Sequence, residues 1–388
     1  MSSAQGNSVR GIILAGVHRW DKFSFDGIMP RSLVPIGHWP LISFVMEWFR
    51  EAGIQEATIC ANSASLMVRK GLGDGSPFGM KLDYYEDWVP RGPAGCVRDA
   101  GNRSDAEVFV VADASTIPQL DMADLLAAHK ASGAVMTAVL SREPQKGEYT
   151  PETCLTPTGI YVFGRQVLDF IRETGYQDIK EVLIPRLHDC GHRVRGYVVE
   201  EPCLRVTDAW SYLAANEKVA QQISEQNEDL PEYSRIGEGY IHRTAQYSAD
   251  VKFIGPVLVG RGTRIGREAT IIGPTVIGAQ CEIGKGTIVG RCVLWDQSVI
   301  GEHCRLDGCL LTTGAAVPSR TTLTRAIHQS TVRERASLMS RLASKLSGIS
   351  RQHEGTAVKS ISESESLYLG SVRPPQARTG RAVGTTSL

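Results

Sequence analysis

The sequence lacks an excess of either charge, a long apolar run and any paired cysteine motif. Its 42 Lys and Arg residues balance 42 Asp and Glu residues over 388 residues. This balance creates no overall field that would attract nucleic acid or an anionic membrane. No apolar stretch is long enough to span a bilayer, and the polar opening, MSSAQGNSVR, contains no apolar core of a secretory signal. We therefore expect a cytoplasmic protein with no nucleic-acid partner and no membrane partner.

The nine cysteines are scattered along the chain, and none belongs to a C-x-x-C pair. A structural zinc site is therefore not expected. Cys304 and Cys309, which lie five residues apart in a repeat region, fit small inward-facing core residues better than metal ligands. Because no secretory signal is present, the thiols are expected to be reduced.

The first half of the chain alternates strand-like and helix-like segments. Leu41 to Ala52 places apolar side chains on one helical face, and Gly53 ends this helix. Strands are predicted at Ile12–Leu14, Ala57–Ala61, Val108–Val111, Val135–Leu140 and Gly159–Phe163, with further helices at Met122–Ala131 and Gln166–Arg172. This alternation predicts a mostly parallel sheet covered on both faces, with ligands bound at the carboxyl ends of its strands.

From Ile241 onward every sixth residue is apolar, and glycine often follows it. Ten consecutive positions keep this period: Ile241, Tyr247, Phe253, Val259, Ile265, Ile271, Ile277, Ile283, Val289 and Trp295. The phase slips by one near Ile300 and Leu306, and it resumes at Leu311. A helix cannot keep a six-residue stripe on one face, and a plain strand repeats at two. A β-solenoid with three short sides per coil does keep it, and we predict that fold.

Composition divides the chain into five segments. Residues 8–225 are predicted to form an α/β domain, residues 226–238 a polar linker and residues 239–325 a β-helix. Residues 326–348 are predicted to form a basic helix, which more often caps a solenoid or meets another subunit than binds a membrane. Residues 349–388, rich in Ser, Arg, Gly, Thr and Pro, are predicted to be disordered.

This organisation, together with several motifs, resembles the sugar-nucleotide pyrophosphorylases of the GDP-mannose and glucose-1-phosphate nucleotidyltransferase type. The motifs are GIILAG, MPRSLVPIGHWPLISFVMEWFREAGI, GDGSPFGMKLDYYED, GPAGCVRDA, FVVADAS, TGIYVF and VLIPRL with YLAAN. The resemblance implies a Rossmann-like α/β domain with a mostly parallel sheet, followed by a left-handed parallel β-helix. It also implies a reaction that joins a nucleoside triphosphate to a sugar-1-phosphate and releases pyrophosphate, with Mg²⁺ as cofactor if the protein is active.

The family follows its first strand with a glycine-x-glycine-threonine-arginine loop that holds phosphate. Leu14, Ala15 and Gly16 match the start of this loop, and the resemblance implies nucleotide contact for them. Val17 and Arg19 stand where the two glycines belong. Glycine permits φ > 0 and close approach of phosphate, and a β-branched residue resists both. Either Arg19 supplies charge to the phosphates instead, or the loop only closes the edge of the sheet.

Two further catalytic positions are substituted. Arg31, in a PRSL motif, replaces the lysine that faces the phosphates in the family, and it either grips phosphate or is solvated. Asp113 matches the first of two aspartates that bind the metal, but Arg205 occupies the second position and would repel Mg²⁺. Either Arg205 replaces the charge of the metal, or it pairs with Asp113 in a plain salt bridge. We favour the salt bridge, because a buried carboxylate seeks a partner.

The remaining site residues concern the base and the sugar. The resemblance implies nucleotide contact for four consecutive residues that match the turn beneath the base and ribose: Gly92, Pro93, Ala94 and Gly95. A turn that only starts a helix would have the same sequence. Sugar contact is implied for Gly159 and Glu152, although the segment from 141 to 158 is too short for the excursion that binds sugar in the family.

Because several chemical positions are substituted together, the sequence predicts a family protein with a degraded active site. Its expected role is to bind a nucleotide or sugar nucleotide, or to regulate or scaffold an active relative. Solenoid domains commonly pack against each other, so a homo-oligomer or a complex with an active homologue is expected.

Two alternatives remain. The first is a divergent active nucleotidyltransferase that uses Asp113 with Mg²⁺ and contacts the phosphates through three cations, Arg19, Lys22 and Arg31. The second is acyl transfer on the β-helix, for which the available bases are His242 and His303; it rests on analogy with other hexapeptide solenoids alone.

Overall fold

The computed structural model describes residues 8–16, 29–62, 65–144, 153–226, 230–329, 374 and 382–387, which form two compact units. The first unit holds the described residues up to Val34, residues 39–208 and residues 382–387. The second holds residues 35–38 and the described residues from 209 to 374. The helix at 209–226 thus groups with the second unit, although the sequence placed residues up to 225 in the first domain. No helix among these described residues is both long enough and apolar enough to cross a membrane.

The first unit is an α/β domain. Numbered along the whole chain, its strands are β1 Val9–Leu14, β3 Trp39–Pro40, β4 Glu56–Ala61, β5 Lys81–Glu86, β6 Val108–Asp113, β7 Thr116–Ile117, β8 Met136–Pro144, β9 Thr153–Gly164, β10 Val194–Val199, β11 Leu204–Arg205 and β29 Ala382–Ser387. Its α-helices are α1 Leu41–Glu51, α2 Ser65–Leu72, α3 Gly92–Gly101, α4 Met122–Ser132 and α5 Ile184–Asp189. Short 3-10 helices lie at Arg31–Leu33, Ser76–Phe78 and Arg165–Phe170, and a π-helix at Ile179–Leu183. The predicted strands of this half and the helices at 41–52 and 122–131 are confirmed, whereas the helix predicted at Gln166–Arg172 is a 3-10 helix that ends at Phe170.

The main sheet has the strand order β29-β10-β8-β9-β6-β1-β4-β5. Four of its seven pairs are parallel, which confirms the predicted mostly parallel sheet of a Rossmann-like fold. The chain runs outward from β1 to β4 and β5, and it then returns to place β6 on the other side of β1. The carboxyl ends of β1 and β6 therefore meet where the strand order reverses, the usual position of a ligand crevice in open α/β sheets.

Helices cover both faces of this sheet, and strand β1 accordingly carries apolar side chains on both of its faces. Ile12 and Ile13 are fully buried in two different core clusters, since successive side chains of a strand point to opposite faces. Gly11 lets helix α1 approach β1 closely: a Cβ at this position would lie 2.4 Å from the ring of Phe49. Helix α1 ends at Glu51, and Gly53 follows two residues later with a φ of 79° in the left-handed region, which stops the helix as predicted.

The end of the chain departs from the prediction. Residues 382–387 form β29, which pairs antiparallel with β10 from Ala382 opposite Val199 to Ser387 opposite Arg195. The predicted disorder from residue 349 is therefore wrong for these six residues; residues 349–373 and 375–381 lie outside the described part. Composition is a poor guide here, because an edge strand is held by backbone hydrogen bonds that polar sequences also make.

In its described residues, the second unit is built from short strands and the helix α6 Ala209–Gln226. Its strands are β2 Pro35–Ile36, β12 Tyr233–Ile236, β13 Gly239–His242, β14 Gln246–Tyr247, β15 Lys252–Ile254, β16 Val257–Val259, β17 Arg264–Ile265, β18 Thr270–Ile272, β19 Thr275–Ile277, β20 Glu282–Ile283, β21 Ile288–Gly290, β22 Val293–Leu294, β23 Val299–Ile300, β24 Arg305–Asp307, β25 Leu310–Leu311, β26 Ala316–Val317, β27 Thr322–Thr324 and β28 Ile327–His328. Strand β12 lies inside the predicted linker, and β28 lies beyond the predicted end of the β-helix. Residues 330–348 of the predicted basic helix are outside the described residues.

From β13 onward, every third strand joins the same sheet. The three sheets are β13-β16-β19-β22-β25-β28, extended by β12, then β14-β17-β20-β23-β26 and β15-β18-β21-β24-β27. Strands β13 to β28 pair in parallel, and β12 pairs antiparallel with β13. This pattern of parallel strands is consistent with the predicted three-sided β-helix.

The inward stripe follows the predicted positions as far as Val289 and then departs from them. Ile277 pairs with Leu294, so this coil has 17 residues where the preceding step from Val259 to Ile277 has 18. The prediction of Trp295 in the stripe is wrong: Leu294 belongs to the core cluster, and the Trp295 indole Nε1 donates to the Tyr212 hydroxyl of α6 at 2.8 Å. The predicted slip near Ile300 thus occurs one step earlier.

Three further positions of the repeat region differ in how deeply their side chains are buried. Tyr247 occupies a predicted inward position in the first coil but is 44% exposed. Cys304 and Cys309 are fully buried in the core cluster, as predicted.

The register of this core can be tested at Leu294. We expect Leu294→Ala to lower the free energy of unfolding of the second unit by about 2–5 kcal/mol, because it leaves a cavity among stacked apolar side chains. The control is Ile254→Ala, at a half-exposed position on another sheet, with an expected cost below about 1 kcal/mol. Denaturant unfolding of both variants gives the comparison. Equal, small losses would contradict the assignment of Leu294 to the inward stripe.

Candidate functional site

The site predicted from the sequence lies at the carboxyl ends of β1, β4 and β6. Leu14 is in register with Cys60 of β4 on one side and with Asp113 of β6 on the other. The Ala15 N–H donates to the Cys60 carbonyl at 2.8 Å, and the Ala114 N–H donates to the Leu14 carbonyl at 3.0 Å. These bonds hold the start of the predicted phosphate loop beside the carboxylate of Asp113.

The loop beyond this point is described only as far as Gly16. Gly16 is exposed, and a Cβ added there would meet only the side-chain nitrogen of Asn62, at 3.9 Å. Val17, Arg19 and Lys22 lie outside the described residues, so the predicted role of Arg19 stays a prediction.

Asp113 is held by a residue that the sequence analysis missed. The Ser115 N–H donates to Asp113 Oδ1 at 2.8 Å, and the Ser115 hydroxyl donates to the same oxygen at 2.7 Å. These two donors occupy both acceptor positions of that oxygen. The available signal was the spacing Asp-x-Ser, because a carboxylate readily accepts from backbone and hydroxyl donors two residues later.

Arg205 lies beside Asp113 because a small sheet brings it there. Strand β11 pairs antiparallel with β7, so that Arg205 faces Thr116, and the Val206 N–H donates to the Ser115 carbonyl at 2.9 Å. The Arg205 Nη2 atom lies 3.9 Å from Asp113 Oδ2, with the two side chains 34% and 20% exposed. The two residues are thus at ion-pair distance, as the salt-bridge alternative predicts, but too far apart for a hydrogen bond.

This arrangement does not fit a magnesium ion. Mg²⁺ takes oxygen ligands at about 2.1 Å in octahedral geometry. One oxygen of Asp113 is saturated by Ser115, and the other faces a guanidinium group. Within the described parts of the chain, no three His, Cys, Asp or Glu side chains gather as a metal site requires.

Gly159 is packed against Asp113. Its φ is 86°, and a Cβ there would lie 2.9 Å from the Asp113 Cβ and 3.4 Å from the Thr116 hydroxyl. The Thr116 hydroxyl in turn donates to the Thr158 carbonyl at 2.8 Å. The glycine therefore makes room for the carboxylate; its predicted sugar contact stays a prediction, and Glu152 lies outside the described residues.

The four residues from Gly92 to Gly95 form the first turn of α3 rather than a loop before it. Gly92 has a φ of 75° and packs on the backbone of Gln177, where a Cβ would lie 2.6 Å from the carbonyl oxygen. The Ala94 N–H donates to this same carbonyl at 3.0 Å. At Gly95 a Cβ would lie 2.6 Å from the Arg91 Cβ. Close packing thus explains both glycines, which favours the alternative that they start a helix.

The remaining residue of this stretch, Pro93, is partly exposed. Cys96, which directly follows the stretch in α3, makes a side-chain hydrogen bond. The Cys96 thiol donates to Asp87 Oδ2 at 3.5 Å, and burial raises the pKa of this thiol to about 12. Cys96 is therefore a neutral thiol at physiological pH and not a nucleophile.

Arg31, for which the sequence analysis leaves phosphate contact or solvation open, is the first residue of its 3-10 helix and is partly exposed.

The two histidines considered for acyl transfer occupy structural positions. His242 is buried, its Nδ1 accepts the Thr244 N–H at 3.2 Å, and its Nε2 lies 3.8 Å from Glu232 Oε2. His303 is an exposed turn residue with a φ of 56°. An open groove on the β14-β17-β20-β23-β26 sheet is lined by residues such as Tyr247 and Glu282, and neither histidine lines it. These positions do not support acyl transfer.

The close packing of Gly159 gives a direct test of the site. We expect Gly159→Ala to lower the free energy of unfolding of the first unit by about 2–4 kcal/mol, because it adds a clash with Asp113 to the strain at positive φ. The matched control is Gly191→Ala, also at positive φ (75°), with no atom near the added Cβ. Thermal or denaturant unfolding measures both, and equal losses would contradict the packing of Gly159 on Asp113.

Comparison with known proteins shows which parts of the chain resemble known families. Residues 28–150 match the family model of nucleotidyl transferases, and residues 253–340 match that of the GMPPB C-terminal domain. A UTP–glucose-1-phosphate uridylyltransferase of Synechocystis sp. is 25% identical over 334 residues, which cover 74% of this chain and 85% of the relative. A mannose-1-phosphate guanylyltransferase of Mycobacterium tuberculosis is 23% identical over 265 residues, which cover 61% and 71%.

A crystal structure of a putative glucose-1-phosphate thymidylyltransferase from Bacillus anthracis superposes with a TM-score of 0.47 at 17% identity, over 54% of this chain and 94% of that one. The two family models cover separate parts of the sequence, one within the first half and one near its end. The chain thus matches a nucleotidyl transferase domain in one part and the GMPPB C-terminal domain in another, and it is similar to sugar-nucleotide transferases over much of its length.

Proposed function

We propose that this protein binds a nucleotide or sugar nucleotide and does not act as an efficient pyrophosphorylase. One observation carries the proposal: the Arg205 guanidinium stands 3.9 Å from Asp113 Oδ2, at the position where the family resemblance expects a second metal-binding aspartate. A doubly charged cation and a guanidinium about 4 Å apart repel each other by roughly 8 kcal/mol at an effective dielectric constant of about 20. This repulsion opposes the binding of the family's catalytic Mg²⁺ beside Asp113.

The class of ligand follows from the relatives and from the position of the site. The relatives are a uridylyltransferase that takes glucose-1-phosphate and a guanylyltransferase that takes mannose-1-phosphate. In this chain the carboxyl ends of β1 and β6 meet where the strand order reverses, with Asp113 at the end of β6. In this proposal the second unit winds as a left-handed β-helix, and the protein acts in the cytoplasm as a homo-oligomer or with an active homologue.

A divergent active nucleotidyltransferase is the second candidate. Its Mg²⁺ would be held by Asp113, and Arg19, Lys22 and Arg31 would contact the phosphates. The observation that favours it is the length of the ion pair: at 3.9 Å, without a hydrogen bond, a partly exposed pair contributes about 0–1 kcal/mol and costs little to separate. Arg205 can then turn away when a ligand and a metal ion enter together.

Release of pyrophosphate separates the two candidates. The purified full-length chain is incubated with Mg²⁺, the common nucleoside triphosphates and a panel of sugar-1-phosphates, beside an active guanylyltransferase as positive control. We expect no release above that of the Asp113→Ala variant, because no metal neutralises the phosphates during transfer. Turnover by the natural chain that disappears in Asp113→Ala would overturn the proposal and establish the active alternative.

A further inference from the structure

We propose that Arg205 is the group that binds the ligand's phosphate, so that binding at this site needs no divalent metal ion. The inference rests on the proposed function, because it names how the same site holds an anionic ligand. It concerns a residue at a position where the family resemblance implies a metal ligand of opposite charge.

The Arg205 guanidinium is poorly satisfied by the protein. It carries five N–H donors. Nη1 makes one long hydrogen bond, 3.4 Å to the Pro157 carbonyl, and Nη2 faces Asp113 Oδ2 at 3.9 Å. The buried Nε has no hydrogen-bond partner among the residues that the structure describes. By contrast, Arg165 Nη1 donates to the carbonyls of Ser104 and Ala106 at 2.7 and 2.8 Å. Arg205 therefore keeps donors on its terminal nitrogens for a ligand.

Asp113 contributes charge to Arg205 without taking these donors. Its Oδ1 is occupied by Ser115, and its Oδ2 lies beyond hydrogen-bond distance of the guanidinium. The carboxylate thus places a negative charge beside the cation at the end of β6 without accepting a hydrogen bond from it. Asp113 is in this sense a positioning residue, and a phosphate would bind on the side of the guanidinium that faces away from it.

The location and the chemistry suit a phosphate. Arg205 is one-third exposed and stands next to Asp113, whose strand ends beside β1 where ligands enter open α/β sheets. A guanidinium group binds phosphate through two parallel N–H···O bonds and stays charged at all physiological pH values. The guanidinium then neutralises the phosphate as a metal ion does in the family, but as a fixed part of the chain.

Equilibrium binding with and without metal tests this role. UDP-glucose and GDP-mannose serve as probes and are titrated into the full-length chain by calorimetry, once in EDTA and once in Mg²⁺. We expect the same dissociation constant in both buffers. Arg205→Ala should weaken binding about 10- to 100-fold in both buffers, since it removes charge-assisted hydrogen bonds. Arg205→Lys should recover part of this loss by restoring the charge.

Two variants sharpen the test. Arg205→Asp places a second carboxylate beside Asp113, so we expect binding only when Mg²⁺ is present. Arg193→Ala is the matched control, because Arg193 is an exposed arginine of the same unit that donates to the Ser132 carbonyl at 2.8 Å, and its loss should change nothing. Melting curves of all variants identify any loss of affinity that comes from unfolding.

The outcomes separate this inference from the proposed function. Binding that requires Mg²⁺ and ignores Arg205→Ala would overturn the role of Arg205 and leave a binding protein. Absence of binding by the natural chain to either probe in either buffer would overturn both. Binding in EDTA that survives Arg205→Ala unchanged would also overturn the role of Arg205.

Discussion

Strand pairing sets two opposite charges beside each other, and the chemistry of the site depends on that ion pair. Strands β7 and β11 pair through Thr116 and Arg205, which brings the guanidinium within 3.9 Å of the carboxylate at the end of β6. Ser115 saturates the other carboxylate oxygen. A magnesium ion would have to displace these partners and overcome the charge of Arg205. The first unit thus has the sheet of a Rossmann-like fold, with a guanidinium group beside the carboxylate at the end of β6.

Two glycines for which the family resemblance implies ligand contact are required here for packing. Gly159 makes room for Asp113, and Gly92 makes room for the backbone of Gln177. Steric demands of this kind persist whether or not nucleotidyl transfer occurs, because a Cβ would collide with atoms of the fold. Their presence is therefore weak evidence for catalysis. The charge of residue 205 bears more directly on metal binding, because a guanidinium repels a cation at Asp113.

Much of the fold could be predicted because burial leaves a pattern in the sequence. The apolar runs of β1 and β6 and the six-residue stripe are of this kind. The register after Val289 could not be predicted, because Leu294 and Trp295 are both apolar and either could face inward. Strand β29 was missed because backbone pairing needs no apolar sequence.

The site was predictable to a smaller extent. Asp113 and Arg205 stand out by family motif, but the distance between residues 92 positions apart depends on the pairing of β7 with β11. Ser115 was missed although it lies two residues from Asp113, since a serine in a turn has many roles. The contact of Gly92 with Gln177 joins segments 85 residues apart, and no local signal reports it.

The most direct test of the central claim is the binding of a metal ion alone. Mn²⁺ is titrated into the natural chain and into Arg205→Asp, and the free ion is followed by electron paramagnetic resonance. The account predicts that the natural chain does not bind Mn²⁺ at Asp113, so that Asp113→Asn leaves its titration unchanged, and that Arg205→Asp gains a saturable site. Saturable binding of Mn²⁺ by the natural chain that is lost in Asp113→Asn would contradict it.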